Sequence, residues 1–288
     1  MTATPELPSY RTIELERDGS LTWLTLNRPE RLNAMNWTLL EELSKALTFL
    51  VTDAATRVVA IRGAGRAFCS GYDIERDESE IAGAEERDIV EDHDLLVQHL
   101  SRFLQIWDHP KPIIAAVHGY CLAGATQLCV FCDITVVAED AIIGLPALPA
   151  GGGFITPLWT PLVGPKRAKQ MSFVPSSRIS GTTASEWGWA NYAVAAEELE
   201  SNVRELARNI AKIPAPILRM KKMSINRVAE VMGFRTIVNM GAETDALLHF
   251  SNPVKQLAGM IRESGLKGAI ARFDAGEYSA ETGSTTSG

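Results

Sequence analysis

The chemistry this chain can offer most directly lies in two glycine-bearing segments. Arg66-Ala-Phe-Cys-Ser-Gly-Tyr-Asp73 and Ile113-Ile-Ala-Ala-Val-His-Gly-Tyr-Cys-Leu-Ala-Gly-Ala-Thr-Gln-Leu-Cys129 each read as an apolar strand that breaks at glycine and hands over to polar chain or helix. Glycine at such a break lets backbone approach a ligand closely. Two breaks side by side can aim two backbone N–H groups at one carbonyl oxygen, the arrangement that stabilises an oxyanion. The plainer role for the same glycines is to permit tight strand-to-helix turns.

The neighbouring elements must bring these segments together. Thr12 to Asn27 reads as two strands around Asp18-Gly19, a tight hairpin signal. Asn36 is placed to cap a helix through Leu40, Leu43, Leu47 and Leu50, and Thr38 and Glu41 have capping-box spacing in the same turn. Arg57 to Arg62 is a short apolar strand, residues 75–92 a charged mobile loop or frayed helix, and Leu95, Leu96, Leu100, Phe103, Leu104 and Trp107 a helical stripe up to Pro110. Pro112 to His118 reads as a strand, Ala123 to Cys132 as a helix and Ile134 to Ala138 as a strand, which implies βαβ units. From Pro165 the pattern is mostly helical, over 165–174, 182–189, 196–212 and 215–249. No internal repeat is visible in the sequence.

The 288 residues suffice for one large α/β domain or two smaller ones, and 46% are hydrophobic, as in a soluble globular fold. A net charge of −7 recommends neither a nucleic-acid nor an anionic-membrane partner. The N-terminus has no signal-peptide pattern, and the longest apolar stretch, Ile113 to Val137, carries His118, Gln127 and Asp133, which a membrane helix would not bury. Cys69, Cys121, Cys129 and Cys132 then read as reduced thiols of a cytoplasmic protein. Cys129-Val-Phe-Cys132 has no second pair or His spacing to make a metal site, and no metal or cofactor is expected. There is no nucleotide P-loop; Gly63-Ala-Gly65 lacks the third glycine of a dinucleotide fingerprint; no H-E-x-x-H or G-x-S-x-G occurs.

The order of several blocks carries a resemblance. Leu26-Asn-Arg-Pro-Glu-Arg-Leu-Asn-Ala-Met35, Ala67-Phe-Cys-Ser-Gly-Tyr-Asp-Ile74, Lys111-Pro-Ile-Ile-Ala-Ala-Val-His-Gly-Tyr120, Ala123-Gly-Ala125, Val163-Gly-Pro-Lys-Arg-Ala168 and Arg178-Ile-Ser-Gly-Thr-Thr-Ala-Ser-Glu-Trp-Gly188 resemble the crotonase superfamily, the enoyl-CoA hydratase/isomerase family, over about residues 10 to 265. The resemblance implies an α/β fold, a spiral of ββα repeats with a C-terminal helical region. It divides the chain into a tail (1–10), the spiral core (11–200) and a trimerisation or lid region of helices (201–270), while the small polar residues at the chain end read as a disordered tail (271–288). It implies a homotrimer, or a dimer of trimers, acting on an acyl-CoA thioester. Carried over by position, the oxyanion donors are the N–H groups of Tyr72 and Gly124, and the coenzyme lies along Arg28, Arg31, Leu32, Phe68, Tyr72, Asp73 and Ile74.

The chain departs from the pattern where hydratases of the family carry two glutamates. Those positions read Gln127 and Ala147. A glutamine can hydrogen-bond a water or thioester but cannot take a proton at neutral pH, and alanine offers nothing. The nearest named activity is enoyl-CoA hydratase, a lyase of fatty-acid or related acyl-CoA metabolism, with non-standard acid and base groups; isomerase, hydrolase, decarboxylase and a non-catalytic acyl-CoA binder stay open. His99 and His93 lie near the helix over the acyl pocket and are substitutes or surface histidines. His118 is a substitute base or fixes a strand end. Asp73 orders its turn, Glu75 follows it, and Trp159, Trp187 and Trp189 read as packing.

Overall fold

The structure, a computed structural model, describes residues 5–73, 87–149, 151 and 156–277. The chain opens with the expected hairpin, β1 (Ile13–Asp18) and β2 (Leu21–Leu26), followed by α1 (Trp37–Thr52), β3 (Val58–Gly63) and β4 (Ala67–Cys69). Then come α2 (Ile89–Asp108), β5 (Ile113–Val117), β6 (Tyr120–Leu122), α3 (Gly124–Phe131), β7 (Ile134–Ala138), β8 (Ile142–Gly144) and α4 (Thr156–Phe173). The rest is β9 (Arg178–Ser180), α5 (Gly181–Trp187), β10 (Tyr192–Val194), α6 (Leu199–Ala211), α7 (Ala215–Val231), α8 (Phe234–His249) and α9 (Asn252–Asp274).

Two sheets share the strands. One holds six in the order β1-β2-β3-β5-β7-β10, parallel from β2 onward; the other holds four in the order β4-β6-β8-β9. Each of β3-β4-α2, β5-β6-α3 and β7-β8-α4 places its first strand in the larger sheet and its second in the smaller one before a helix. That is the ββα spiral, a repeat of geometry that leaves no repeat in the sequence. The larger sheet is buried on both faces, as a parallel sheet must be. Along β2, β3 and β5 the side chains alternate: Trp23, Val58, Ala60, Ile114 and Ala116 pack under α6, while Leu24, Val59, Ile61, Ala115 and Val117 face the main core.

Local signals explain most element ends. Asn36 caps α1 by accepting from Leu39 N–H at 3.0 Å, and Leu40, Leu43, Leu47 and Leu50 are its buried stripe. The expected Thr38–Glu41 box does not form: Asn36 already satisfies the orphan donor, and Glu41 pairs with Lys45 at 3.0 Å instead. The described end of the charged 75–92 stretch is ordered helix, because Asp88 and Glu91 make a reciprocal capping box at the start of α2. The run expected as one helix over 215–249 breaks between α7 and α8, where Gly233 adopts φ 97°. The C-terminal helix reaches Asp274, past the expected start of the tail at 271.

Two buried polar groups tie the helices to the sheet. Lys222 of α7 donates to the carbonyls of Ile106 (3.1 Å) and Lys111 (3.4 Å) and to Asp133 Oδ2 (2.8 Å), and Asp133 also accepts from Ile113 N–H at 2.7 Å. His109 at the end of α2 is 3% exposed; it accepts from Lys111 N–H at Nδ1 and contacts Leu47 O through Nε2, the pattern of a neutral imidazole. Burial pushes its pKa down to about 4. The unfolded chain therefore binds a proton between pH 6.5 and 4 that the fold refuses, so stability is full above about 6.5 and declines as pH falls through that window, by on the order of 3 kcal/mol. Urea unfolding at pH 7 and pH 4.5 checks this, with His109→Gln expected to lose measurably less on acidification. Lys222→Ala, which strands the Asp133 carboxylate, is expected to cost about 3–5 kcal/mol in the same assay.

Candidate active site

Three loops leave the same edge of the smaller sheet. β4, β6 and β8 are parallel neighbours, with Cys69 opposite Cys121 and Leu122 opposite Gly144. Their C-terminal ends therefore deliver the Gly71 turn, the Gly124 turn and the loop bearing Ala147 side by side, where parallel sheets characteristically bind ligands.

The first turn rests on residues 28–35. Met35 and Tyr72 form a parallel bridge in which Met35 N–H donates to Gly71 O (2.8 Å) and Asp73 N–H donates to Met35 O (3.0 Å). That pattern turns the Tyr72 N–H to the opposite side of its strand. Asp73 accepts from Arg28 at 2.9 Å and pairs with Arg31 at 3.5 Å, and Arg28 also donates to Ala34 O. Asp73 thus orders the turn, and Arg31 is the more exposed of its two cations. Leu32 accepts from Ser70 N–H at 3.0 Å. Buried Asn33 donates to Ala64 O and Ala67 O at 2.9 and 2.8 Å, which joins this segment to the β3–β4 connection.

The second turn is strained. Ala123 holds φ 52° and ψ −124°, a conformation L-residues avoid. It is pinned by Ala123 N–H to Gly144 O (2.8 Å) and by Thr126 N–H and Oγ1 to Ala123 O (3.0 and 2.8 Å), with Trp159 Nε1 donating to the same hydroxyl at 3.2 Å. Gly124 follows as the first residue of α3, where an N–H has no intrahelical acceptor and the helix dipole is positive. The two turns touch. A Cβ on Gly71 would fall 2.8 Å from Ala123 Cβ and 3.2 Å from Gly124 N, and one on Gly124 would fall 2.5 and 2.7 Å from Tyr72 ring carbons.

Above the turns, Tyr72 Oη donates to Gln127 Oε1 at 2.9 Å. Burial, with the charge of Asp245 nearby, holds the Tyr72 phenol well above its ordinary pKa, so it stays a donor. Gln127 is fully buried, and its Nε2 has no hydrogen-bond partner among the described residues. His99 meets the Tyr72 ring edge-on at 5.9 Å and Trp37 at 5.6 Å, so it belongs to the site. Ala147 is half-buried in a loop held by Arg178, which donates to Leu145 O at 2.7 Å, and by Leu148, which packs on Leu257 and Met260 of α9.

Other expected residues lie elsewhere. His93 pairs with Asp94 at 3.5 Å on the outer part of α2. His118 contacts Gly65 O at 2.9 Å through Nε2 while its carbonyl accepts from Phe68 N–H at 2.9 Å, which fixes the strand end. The Phe68 side chain is enclosed in the main core and offers no face to a ligand. Trp159 and Trp189 pack against each other in that core, with Trp187 at its margin. The four cysteines are buried free thiols, Cys69 pushed up to about 12 by burial. Ile74 and Glu75 lie outside the described residues.

The sequence reading missed a polar cluster on α8. His249 Nδ1 contacts Asp92 Oδ2 of α2 at 2.8 Å, and Asp245, one turn before His249, is 6% exposed. A Cβ at Gly151, just past the Ala147 loop, would lie 3.6 Å from Asp245 Oδ1 and 3.9 Å from His249 Nε2. The signal was available: Val238, Ala242, Asp245 and His249 follow helical spacing, so an acid and an imidazole sit in an apolar stripe.

A ββα spiral with paired glycine turns at one sheet edge is the crotonase fold, and comparison with known proteins agrees. Residues 16–260 match the family model described as enoyl-CoA hydratase/isomerase. A crotonyl-CoA hydratase of Syntrophomonas wolfei is 31% identical over 246 residues, covering 83% of this chain and 89% of that protein. A crystal structure from Novosphingobium aromaticivorans, provisionally designated enoyl-CoA hydratase/isomerase, is 39% identical with a TM-score of 0.84, covering 94% and 96% of the two chains. An enoyl-CoA hydratase/isomerase from Xanthobacter autotrophicus is 33% identical with a TM-score of 0.84, covering 93% and 98%. The chain belongs to the enoyl-CoA hydratase/isomerase family.

The contact between the turns makes a direct prediction. Gly124→Ala should lower stability by about 1–3 kcal/mol through overpacking against Tyr72. In a Tyr72→Ala background most of that cost should vanish, which a double-mutant cycle of thermal unfolding measures.

Proposed function

We propose that this protein is an acyl-CoA-processing enzyme that stabilises a thioester enolate between the N–H groups of Tyr72 and Gly124. The observation that carries this reading is the approach of Gly71 and Tyr72 to the N-terminus of α3, too close for a Cβ at Gly71 or Gly124. When a proton leaves or joins the α-carbon of a thioester, charge gathers on the carbonyl oxygen, and two preorganised donors in a dry site are worth several kcal/mol to that state. Glycine at both turns lets the two backbones approach without a Cβ between them. Half-buried Arg31 is the cation best placed to meet a coenzyme phosphate, with Arg28, Leu32 and Asp73 holding the wall beside it.

Hydration of an enoyl-CoA is the nearest named reaction, because relatives at about this distance carry hydratase names. Gln127 and Ala147 argue that the proton is handled by other groups than in a two-glutamate hydratase. Gln127 instead fits an orienting role: its acceptor is taken by Tyr72, and its free Nε2 can donate to a water or to the ligand. The same two positions favour a second reading, an acyl-CoA binder without turnover. A cytoplasmic homotrimer, single or paired, completes the proposal; the exposed apolar run Met220, Val228, Val231 and Met232 on and after α7 supports association.

The test is a panel of enoyl-, β-keto- and malonyl-type CoA thioesters. At least one should be turned over, and Gly124→Pro, which removes a donor, should cut that rate roughly 10²–10³-fold. A panel without turnover, in which acyl-CoA still raises the melting temperature, would sink the enzyme reading in favour of the binder. Crotonyl-CoA hydration as fast as that of a two-glutamate enzyme would contradict the weight placed on Gln127 and Ala147.

A further inference from the structure

The cluster on α8 offers what the turns lack. Helices α2 and α8 run antiparallel: Phe234 stacks on Trp107 at 4.1 Å and Arg235 pairs with Asp108 at 2.6 Å at one end, and His249 contacts Asp92 at 2.8 Å at the other. Asp245 is one turn back from His249, so along the seam it falls between the His249–Asp92 pair and the level of His99. His99 is two turns on from Asp92 along the same face of α2 and meets the Tyr72 ring. Asp245 therefore lies in the stretch of seam bounded by the Tyr72–Gln127 pair, Gly151 and the His249–Asp92 pair. Two further observations bear on this stretch. Gln127 Nε2 is a fully buried donor without a partner among the described residues, and Asp245 Oδ1 stands 3.6 Å from where a Gly151 side chain would begin.

We propose that Asp245 is the proton-transfer group of this active site, filling from the helical cover the role that Gln127 and Ala147 cannot, with the His249–Asp92 pair as its positioning partner. This rests on the acyl-CoA reading above. In the enolising direction the Asp245 carboxylate takes a proton from the α-carbon. The C–H electron pair becomes the Cα–C bond of the enolate, and the carbonyl pair moves to the oxygen between the Tyr72 and Gly124 N–H groups. The carboxylic acid then returns the proton to the same carbon or, in an enoyl ligand, to the γ-carbon. In the hydrating direction a water oxygen bonds the β-carbon and gives its proton to the carboxylate, the C=C pair passes to the enolate, and the proton is delivered to the α-carbon. Gln127 Nε2 holds the carbonyl or the water. His249, bound to Asp92, sets the carboxylate's orientation. Both sequences begin and end with an ionised Asp245 and need no co-reactant.

The experiment uses full-length protein in D2O with butanoyl-CoA, which can exchange its α-protons but has no double bond to hydrate, alongside whichever thioester of the panel is turned over. Mass spectrometry reads deuterium uptake, and calorimetry reads binding. Wild type should incorporate deuterium. Asp245→Asn should lower the exchange rate roughly 10²–10⁴-fold, with the dissociation constant for butanoyl-CoA changed less than threefold. Asp245→Glu should recover part of the rate, which a purely structural role for the carboxylate does not predict. His249→Gln, at a half-buried site that tolerates exchange, should slow exchange about tenfold and lower kcat more than it alters KM. Folded Asp245→Asn or His249→Gln protein exchanging at the wild-type rate overturns the assignment of that residue, while the acyl-CoA reading survives on the Gly124→Pro result. Failure of wild type to exchange any thioester or turn one over removes both.

Discussion

Everything in this site depends on two backbone turns being allowed to touch. A methyl group at Gly71 would collide with Ala123 and crowd Gly124 N, and one at Gly124 would strike the Tyr72 ring. Side chains at those positions would wedge the turns apart and separate the two N–H groups. The contact is made by sheet geometry rather than by loop flexibility: β4 and β6 are paired in parallel, so their ends arrive together. Its cost is local strain, carried by Ala123 at positive φ. That strain persists because the surrounding bonds over-determine it, three to the Ala123 peptide groups and one from Trp159 to the Thr126 hydroxyl.

The hydrophobic core supplies the rigidity that such a contact requires. At the α2–α3–α8 junction Phe103 stacks on Phe131, which meets Phe234 edge-on, and Trp159 joins α4 to the start of α3. Close packing leaves these elements few alternative positions, so the turns are preorganised before any ligand arrives. The polar staples act in the same direction. Lys222 joins α7, the end of α2 and Asp133 through one ammonium group, and the Asp73–Arg28 pair locks the first turn to residues 28–35.

Much of this was legible in the residues, for physical reasons that also explain the misses. The hairpin at Gly19, the Asn36 cap, the leucine stripe of α1 and the glycine breaks are local, short-range signals, and each appears where its chemistry puts it. The short strands β6, β8, β9 and β10 were missed because three residues are too few to show a period, and tertiary pairing alone makes them strands. The α7–α8 break was missed because a single Gly233 inside a helical pattern is weak punctuation until its φ is known. Thr38 and Glu41 had the right spacing for a box but lost to a cap two residues earlier. In the site, the glycines and Gln127 could be read from order alone. Asp245 and His249 stand out in the apolar stripe of α8, but their meeting with Asp92, 157 residues from His249, comes only through the antiparallel packing of α2 on α8.

That separation bears on where an acid can sit within this scaffold. A carboxylate at position 127 of α3 would stand beside the Tyr72 phenol. With glutamine at 127, the phenol and the amide oxygen instead pair without charge, leaving the two N–H donors of the amide nitrogen without a partner among the described residues. An acid is then tolerable only where a neighbour can share its burden, and the α2–α8 seam provides an imidazole one turn away, itself backed by Asp92. The seam is also the boundary between the spiral and its C-terminal helices. On the proposal made above, a group that reaches the site from there would depend on α8 packing against α2, which would tie proton chemistry to the docking of the C-terminal helices.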